Sequence, residues 1–363
     1  MWTADDYRYM ADALRLAESG LYSTTPNPRV GCVVVNNGIV VGTGWHRRAG
    51  EAHAEVLALR EAGDLARNAT VYVSLEPCSH FGRTPPCADA LIAAGVKRVV
   101  AAMRDPNPHV SGQGLARLQA AGIAVSSGLL EDQAAQLNIG FIQRMTHNRP
   151  WLRIKTASSL DGKIALANGE SKWITGAAAR LDVHRWRARS CAIMTGIGTI
   201  LADNPQLTVR DIETPRQPLR IIVDSRLQTP ADARILQTAG VIIAYVQGDS
   251  ERQQQLTRAG AELLQVPADE GRVNLTALMT LLAQRGINEI LTEAGAGLNT
   301  GLIAAGLADE WLMYLAPTLL GATALDLFSL PAPANMEQRQ SLRIGDLRQI
   351  GRDLRITAHF LPR

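Results

Sequence analysis

GEAHAEVLALREAG (residues 50–63) and TVYVSLEPCSHFGRTPPCADALIAA (residues 70–94) decide how this chain is read. Together they carry His53, Cys78 and Cys87, one imidazole and two thiols, all good ligands for zinc. Three protein ligands rather than four leave a coordination position open for water, which marks a catalytic zinc rather than a structural one. Glu55, two residues after the histidine, is the fourth functional group. The run from Ala54 to Ala62 predicts a helix closed by Gly63, with His53 and Glu55 in its first turn. Residues two apart on a helix face nearly opposite ways, so an ion must lie off the N-terminal end, toward which side chains lean. Thr70 to Leu75 alternates like a strand and delivers the chain to Cys78. Pro85 and Pro86 then open a helix over CADALIAAG, which ends on Gly95. Cys87 thus stands at a helix N-terminus, where the dipole favours the thiolate.

A lone cysteine is usually a small buried hydrophobe. Cys32 in VGCVVV and Cys191 in CAIMTG read that way, whereas Cys78 and Cys87 sit in proline-rich surroundings. His80 as a fourth ligand would make the site a structural knuckle and leave Glu55 without a role. The order H-x-E, then P-C, then a second Cys is the signature of zinc-dependent nucleobase deaminases, in which the Glu moves protons and does not ligate.

Other segments extend the reading: TTPNPRVGCVVV (24–35), IKTASSLDGKIA (154–165) and LADNPQLTVR (201–210). With HAE and EPCSHFGRTPPC they closely resemble the bifunctional riboflavin-biosynthesis deaminase–reductase family, over nearly the whole chain. Eight residues separate Cys78 from Cys87, as in that family, where the common deaminase form has two. The resemblance implies a cytidine-deaminase-like α/β/α domain at residues 1–146, then a dihydrofolate-reductase-like α/β domain at residues 151–363. It also implies Zn2+ and NADPH as cofactors and small pyrimidine ribosyl phosphates as substrates.

Composition agrees with a two-domain globular enzyme. The 363 residues are long for one core, and 46% hydrophobic with 20% charged residues is ordinary. A net charge of +3 and 4% aromatics are too little for a nucleic-acid groove with stacking residues. Four irregularly spaced cysteines, two of them claimed for metal, indicate a reducing compartment. MWTADDYRYMADAL has acids where a signal peptide needs bases, and no stretch approaches the ~20 apolar residues of a membrane helix. A cytoplasmic protein without membrane or nucleic-acid partners is expected, as a homo-oligomer, a dimer.

Along the chain, Thr3 and Asp6 form a capping-box pattern ahead of a first helix that Gly20 closes. Asn36-Asn37-Gly38 predicts a hairpin turn between Val30–Val35 and Ile39–Val41. Asn27, between two prolines, is either a turn residue or, on the resemblance, the group that reaches the pyrimidine. Strands at 96–102 and 123–126 alternate with helices at 115–121 and 130–145, the last expected unbroken. THNRP (146–150) is the polar break between domains. In the second half, strands are expected at 151–157, 192–195, 219–223, 241–246, 261–266, 289–292, 310–315, 341–350 and 353–360, with helices at 177–189, 251–258 and 275–285.

EILTE runs into Gly295-Ala296-Gly297-Leu298-Asn299-Thr300-Gly301 and an apolar helix, the pattern of a phosphate cradle. Thr195 to Thr199 (TGIGT) is a second, smaller glycine turn. The G-x-G-x-x-x-G spacing, late in the domain and without an acid ~20 residues on, argues against a Rossmann fingerprint. On the resemblance, Ala157, Trp173, Thr199, Asp203, Ser225 and residues 295–301 contact NADPH. Ser171, Arg187, Leu207, Arg210 and Glu293 hold the ribose-phosphate substrate, and Lys155 and Asp203 serve proton transfer. Two other classes stay open: a nucleic-acid-editing deaminase, and a deaminase whose second domain only binds a nucleotide.

Overall fold

The computed structural model describes residues 1–79, 85–108 and 110–361, in two compact units, Met1–Arg149 and Pro150–Arg363. His80, the alternative fourth ligand, lies outside the described residues.

The first unit runs α1 (Ala4–Glu18), β1 (Gly31–Asn36), β2 (Ile39–Trp45), α2 (Ala54–Ala62), β3 (Thr70–Val73), α3 (Cys87–Ala93), β4 (Arg98–Ala101), α4 (Gln113–Ala120), β5 (Ala124–Ser127), α5 (Glu131–Leu137) and α6 (Ile139–His147). Its sheet has the order β2-β1-β3-β4-β5, with β1 antiparallel to both neighbours and β3, β4 and β5 parallel. Period-two alternation divides the strands between two cores. Cys32, Val34, Val71 and Val73 pack with Ala54, Ala58, Ala88, Leu91 and Leu118, so α2, α3 and α4 cover one face. Val33, Val35, Tyr72 and Val100 pack with Tyr9, Met10, Ala13 and Leu14 of α1 on the other. The result is an α/β/α layer. The Thr3–Asp6 capping box forms, and Asn37 and Gly38 both take positive φ in the hairpin turn.

One expectation fails. The single helix over 130–145 is two helices broken at Asn138, whose φ of −111° and ψ of 21° are not helical. The Asn138 side chain accepts from the Arg29 N–H at 2.8 Å and donates to the Arg29 carbonyl at 2.9 Å. A buried amide that replaces ladder partners for a loop 109 residues away outweighs helix continuity there.

Glycine decides how closely α2 approaches the sheet. A Cβ on Gly44 would overlap the Ala54 carbonyl oxygen, which is backbone and cannot step aside. Gly44→Ala is therefore expected to cost about 1–3 kcal/mol of first-unit stability, as overpacking does. Urea unfolding of the variant against the parent checks this.

The second unit runs β6 (Trp151–Ser159), β7 (Lys163–Ala165), α7 (Ala177–Arg189), β8 (Ala192–Gly196), α8 (Ile197–Asp203), β9 (Leu219–Val223), β10 (Val241–Tyr245), α9 (Ser250–Arg258), β11 (Ala261–Gln265), β12 (Ala268–Asp269), β13 (Arg272–Val273), α10 (Leu275–Gln284), β14 (Glu289–Thr292), α11 (Ala296–Ala304), β15 (Glu310–Ala316), β16 (Leu325–Asp326), β17 (Leu342–Ile350) and β18 (Asp353–Phe360). Its main sheet has the order β11-β10-β9-β8-β14-β6-β15-β18-β17, parallel from β11 to β15 and then antiparallel. Ile154, Met194, Ile221 and Ile242 face Leu278, Leu282 and Leu302 of α10 and α11, while Ile193, Ile222 and Ile243 face Ile200 and Leu256 of α8 and α9. The parallel strands all present their carboxyl ends at one edge, where ligands bind in such sheets.

Candidate metal centre and nucleotide crevice

Three separate elements bring the predicted metal ligands together. His53 is the N-cap of α2, Cys78 follows β3, and Cys87 is the first residue of α3 after Pro86. The His53 Nδ1 lies 3.3 Å from Cys87 Sγ and 3.6 Å from Cys78 Sγ. Zinc bonds of ~2.0 Å to nitrogen and ~2.3 Å to sulfur, at tetrahedral angles, put such donors about 3.5 Å apart. The soft, convergent donor set therefore fits zinc, and it is the one cluster of its kind among the described residues. All four cysteines are free thiols, with Cys32 and Cys191 buried.

The electrostatics divide the groups: Cys78 is shifted toward its charged form, whereas Glu55 and, against the expectation from its helix N-terminus, Cys87 are shifted toward their neutral ones. The Cys87 hydrogen bond brings the Cys78 thiol down to about 4, against the opposing effect of burial, and His53 and the Cys87 N–H reinforce it. Cys87 itself is pushed up, because it donates to Cys78 and is buried. Glu55 is buried in the first turn of α2, and burial raises its carboxyl to about 7, with the Cys78 charge adding to the shift. A carboxyl that exchanges its proton near neutrality is suited to general acid–base work.

Asn27 approaches the same place from the segment before β1. Its Nδ2 is 3.0 Å from His46 Nε2, and the His46 Nδ1 is 3.2 Å from the Ala52 carbonyl. A carbonyl only accepts, so Nδ1 carries the proton and Nε2 accepts from the Asn27 amide. The His46 ring stands edge-on to His53 at 5.2 Å, and burial pushes its pKa down, which keeps it neutral. Sequence reasoning missed His46; a lone histidine after a strand carries no signal.

In the second unit the two glycine turns converge. Gly196 and Gly295 are the N-caps of α8 and α11, and neither helix has a side-chain cap. The Gly295 N–H donates to Thr199 Oγ1 at 3.3 Å, tying one turn to the other. Gly198, Gly295 and Gly297 have open space where a side chain would stand. Asn299 donates to the Ala294 carbonyl, while its buried Oδ1 has no partner among the described residues. Bare N–H groups, open glycines and an orphaned acceptor fit a dinucleotide's phosphates and sugars. Ala157 lies late in β6, Asp203 ends α8, and Ser225 follows β9 with its Oγ accepting from the Val273 N–H. Ser171 is partly buried and Trp173 exposed in the segment before α7, where Arg180 stacks on the Trp173 ring.

The substrate-side residues divide. Arg187 on α7 grips Glu293 with Nε at 2.5 Å and Nη2 at 3.0 Å, and gives Nη1 to the Thr208 carbonyl at 2.9 Å. Lys155 Nζ reaches Glu293 at 3.5 Å. Burial opposes ionisation of Glu293, yet Arg187 and Lys155 hold its carboxyl down to about 2, so it is charged at any working pH. Leu207, at φ 51°, turns the chain so that Arg210 is exposed; its backbone N–H is held by His184 Nδ1 at 3.0 Å and its Nη1 by Gln206.

Residues 3–103 match the model of the cytidine and deoxycytidylate deaminase zinc-binding region, and residues 150–354 match the RibD C-terminal domain. The riboflavin biosynthesis protein RibD of Escherichia coli K12 is 49% identical, over 96% of this chain and 98% of that one. The Acinetobacter baumannii RibD structure superposes with a TM-score of 0.92 at 46% identity, covering 99% of each chain. A diaminohydroxyphosphoribosylaminopyrimidine deaminase/5-amino-6-(5-phosphoribosylamino)uracil reductase from Thermotoga maritima gives 0.87 at 33% identity, covering 98% of this chain and 99% of that one.

Proposed function

Because the chain belongs to the RibD family of riboflavin-biosynthesis deaminase–reductases, we propose that each unit carries one of the two activities with the residues placed above. The enzyme deaminates 2,5-diamino-6-(5-phosphoribosylamino)pyrimidin-4-one and then reduces the ribosyl side chain of the product to ribityl with NADPH. The observation that carries the first half is the His53, Cys78 and Cys87 donor set beside a buried carboxyl. His53, Cys78 and Cys87 hold the zinc, which supplies a Lewis acid for a water nucleophile. Glu55 takes the water's first proton and passes it to a ring nitrogen, then takes the second from the hydroxyl on the attacked carbon and gives it to the amino group, which leaves as ammonia. Asn27, oriented by His46, holds the pyrimidine edge.

In the second unit NADPH supplies the hydride for the first sugar carbon. Residues 295–301 with Thr199 cradle its phosphates; Ala157, Trp173, Asp203 and Ser225 complete the crevice. Ser171, Leu207 and Arg210 receive the substrate, Lys155 and Asp203 serve proton transfer, and Arg187 fixes Glu293 and the Thr208 carbonyl. Among the described residues no helix is long and apolar enough to cross a membrane. Small pyrimidine ribosyl phosphates rather than nucleic acid are the partners, and the working form is a cytoplasmic homodimer, which equilibrium sedimentation and fractionation test.

Each substrate supplied separately tests the division of labour, with ammonia release and NADPH oxidation as readouts. Arg210→Ala removes a charge-assisted phosphate contact of ~1.5–3 kcal/mol. Reductase efficiency is expected to fall roughly ten- to a hundredfold, mostly as raised KM, with deamination unchanged. Equal damage to both activities would replace two sites by one composite site.

A further inference from the structure

Glu76 stands two residues before Cys78 and is buried, yet no part of the chemistry above uses it. Its carboxylate accepts four backbone N–H groups from one segment. Oε2 takes Asp105 at 3.1 Å and Gly112 at 2.9 Å; Oε1 takes Gly114 at 2.9 Å and Leu115 at 3.3 Å. Three of these donors belong to the N-cap and first turn of α4, whose dipole also favours the negative charge. Two glycines make the approach feasible. Gly112 takes a φ of 79°, and a Cβ on Gly114 would overlap the Pro77 carbonyl oxygen. The Glu76 N–H continues the sheet by donating to the Met103 carbonyl at 3.0 Å.

The grip extends past the cysteine. Arg117 of α4 donates to the Ser79 carbonyl at 3.3 Å and pairs with Asp89 of α3 at 2.6 Å. The Ala88 N–H of α3 donates to the Cys78 carbonyl at 3.1 Å. Cys78 is the one metal ligand outside a helix terminus, so its position depends on these restraints rather than on its own element. We propose that Glu76 is a positioning residue of the metal centre: by clamping the start of α4 and the Asp105 backbone, it holds the Cys78 sulfur in ligand geometry before the ion arrives. This rests on reading His53, Cys78 and Cys87 as the zinc ligands.

Partners that orient metal ligands are typically worth 10- to 100-fold in metal affinity. The test uses the full chain loaded with zinc, as wild type, Glu76→Gln and Glu76→Asp. Zinc release to a chromophoric chelator is followed well below the unfolding temperature, with urea unfolding of the Met1–Arg149 unit followed by circular dichroism as the folding control and NADPH oxidation on supplied reductase substrate as a check that the second unit is untouched. In Glu76→Gln an NH2 meets N–H donors, and release is expected to quicken 10- to 100-fold while reductase turnover stays intact. Glu76→Asp keeps a carboxylate and should recover part of the loss; it also decides the matter if the Gln variant yields no folded protein. A cobalt-loaded sample should show a shifted ligand-field spectrum in the Gln variant, which loss of stability alone does not produce. Release within twofold of wild type, even with a lowered unfolding temperature, overturns the positioning role and leaves Glu76 a fold-stabilising residue. A wild-type chain that binds no zinc would overturn the ligand assignment as well.

Discussion

Glu55→Gln is expected to retain its zinc and lose deaminase turnover by about 10²–10⁴-fold, the usual worth of a positioned general acid–base. Glu55 sits two residues past the His53 cap in α2, while the donor set closes without it: imidazole nitrogen and two sulfurs already stand at ligand spacing. Gln has the same shape and fits the same buried site, so the ligands have no reason to move. What it lacks is a titrating proton. Burial holds the native carboxyl up to about 7, where taking and returning a proton are both accessible at neutral pH. The measurement pairs metal content per chain with ammonia release. Loss of zinc would make Glu55 a ligand, and turnover within a few-fold of wild type would remove it from proton transfer. NADPH oxidation on supplied reductase substrate should be unchanged, because every candidate NADPH contact belongs to the Pro150–Arg363 unit.

What the sequence discloses about this centre is identity and order, and those suffice for the ligands. His53, Cys78 and Cys87 are read from residue type, a strand, two prolines and a glycine stop, all of them local signals. The structure then places them at an N-cap, a post-strand loop and a helix start, as local reading expects. Long-range partners are another matter. His46, Glu76 and Asn138 are ordinary polar residues in the chain, and what they do depends on backbone groups brought to them by folding. Asn138 shows the consequence, since helical periodicity across it is sound while the Arg29 loop takes its side chain. In the second unit the glycine turns were visible one by one, whereas the Thr199–Gly295 bond that joins them was not. Likewise Arg187 and Glu293 stand 106 residues apart in the chain, and their ion pair is not legible in it. The same limit explains the strand and helix ends that shift by a few residues, as β2 runs to Trp45 rather than Val41, where hydrogen bonding to a neighbour decides the terminus.

Cys87→Ser is expected to strip the zinc and abolish deamination together, and it tests the deepest assumption made about the chain. Cys87 is fully buried at the first position of α3, and its Sγ is the donor nearer to His53 Nδ1. Serine is smaller and fits, so the fold of the unit has little reason to change. Its hydroxyl, however, is a hard donor that does not ionise at neutral pH, and zinc prefers thiolate and imidazole. Complete zinc sites in small peptides are worth ~10–16 kcal/mol over four ligands, or roughly 2.5–4 kcal/mol for each. Losing one of only three protein ligands should therefore cost about 10²–10³-fold in affinity. Dialysis against a chelator followed by metal analysis reads this directly, and the deaminase rate must fall with the metal. Cys78→Ser should behave alike, with Cys32→Ser as a control that keeps its zinc, since Cys32 lies in the core of the sheet. If Cys87→Ser retained a full complement of zinc and released it no faster than wild type, the three-ligand centre would be wrong, and the water nucleophile would need another source of activation.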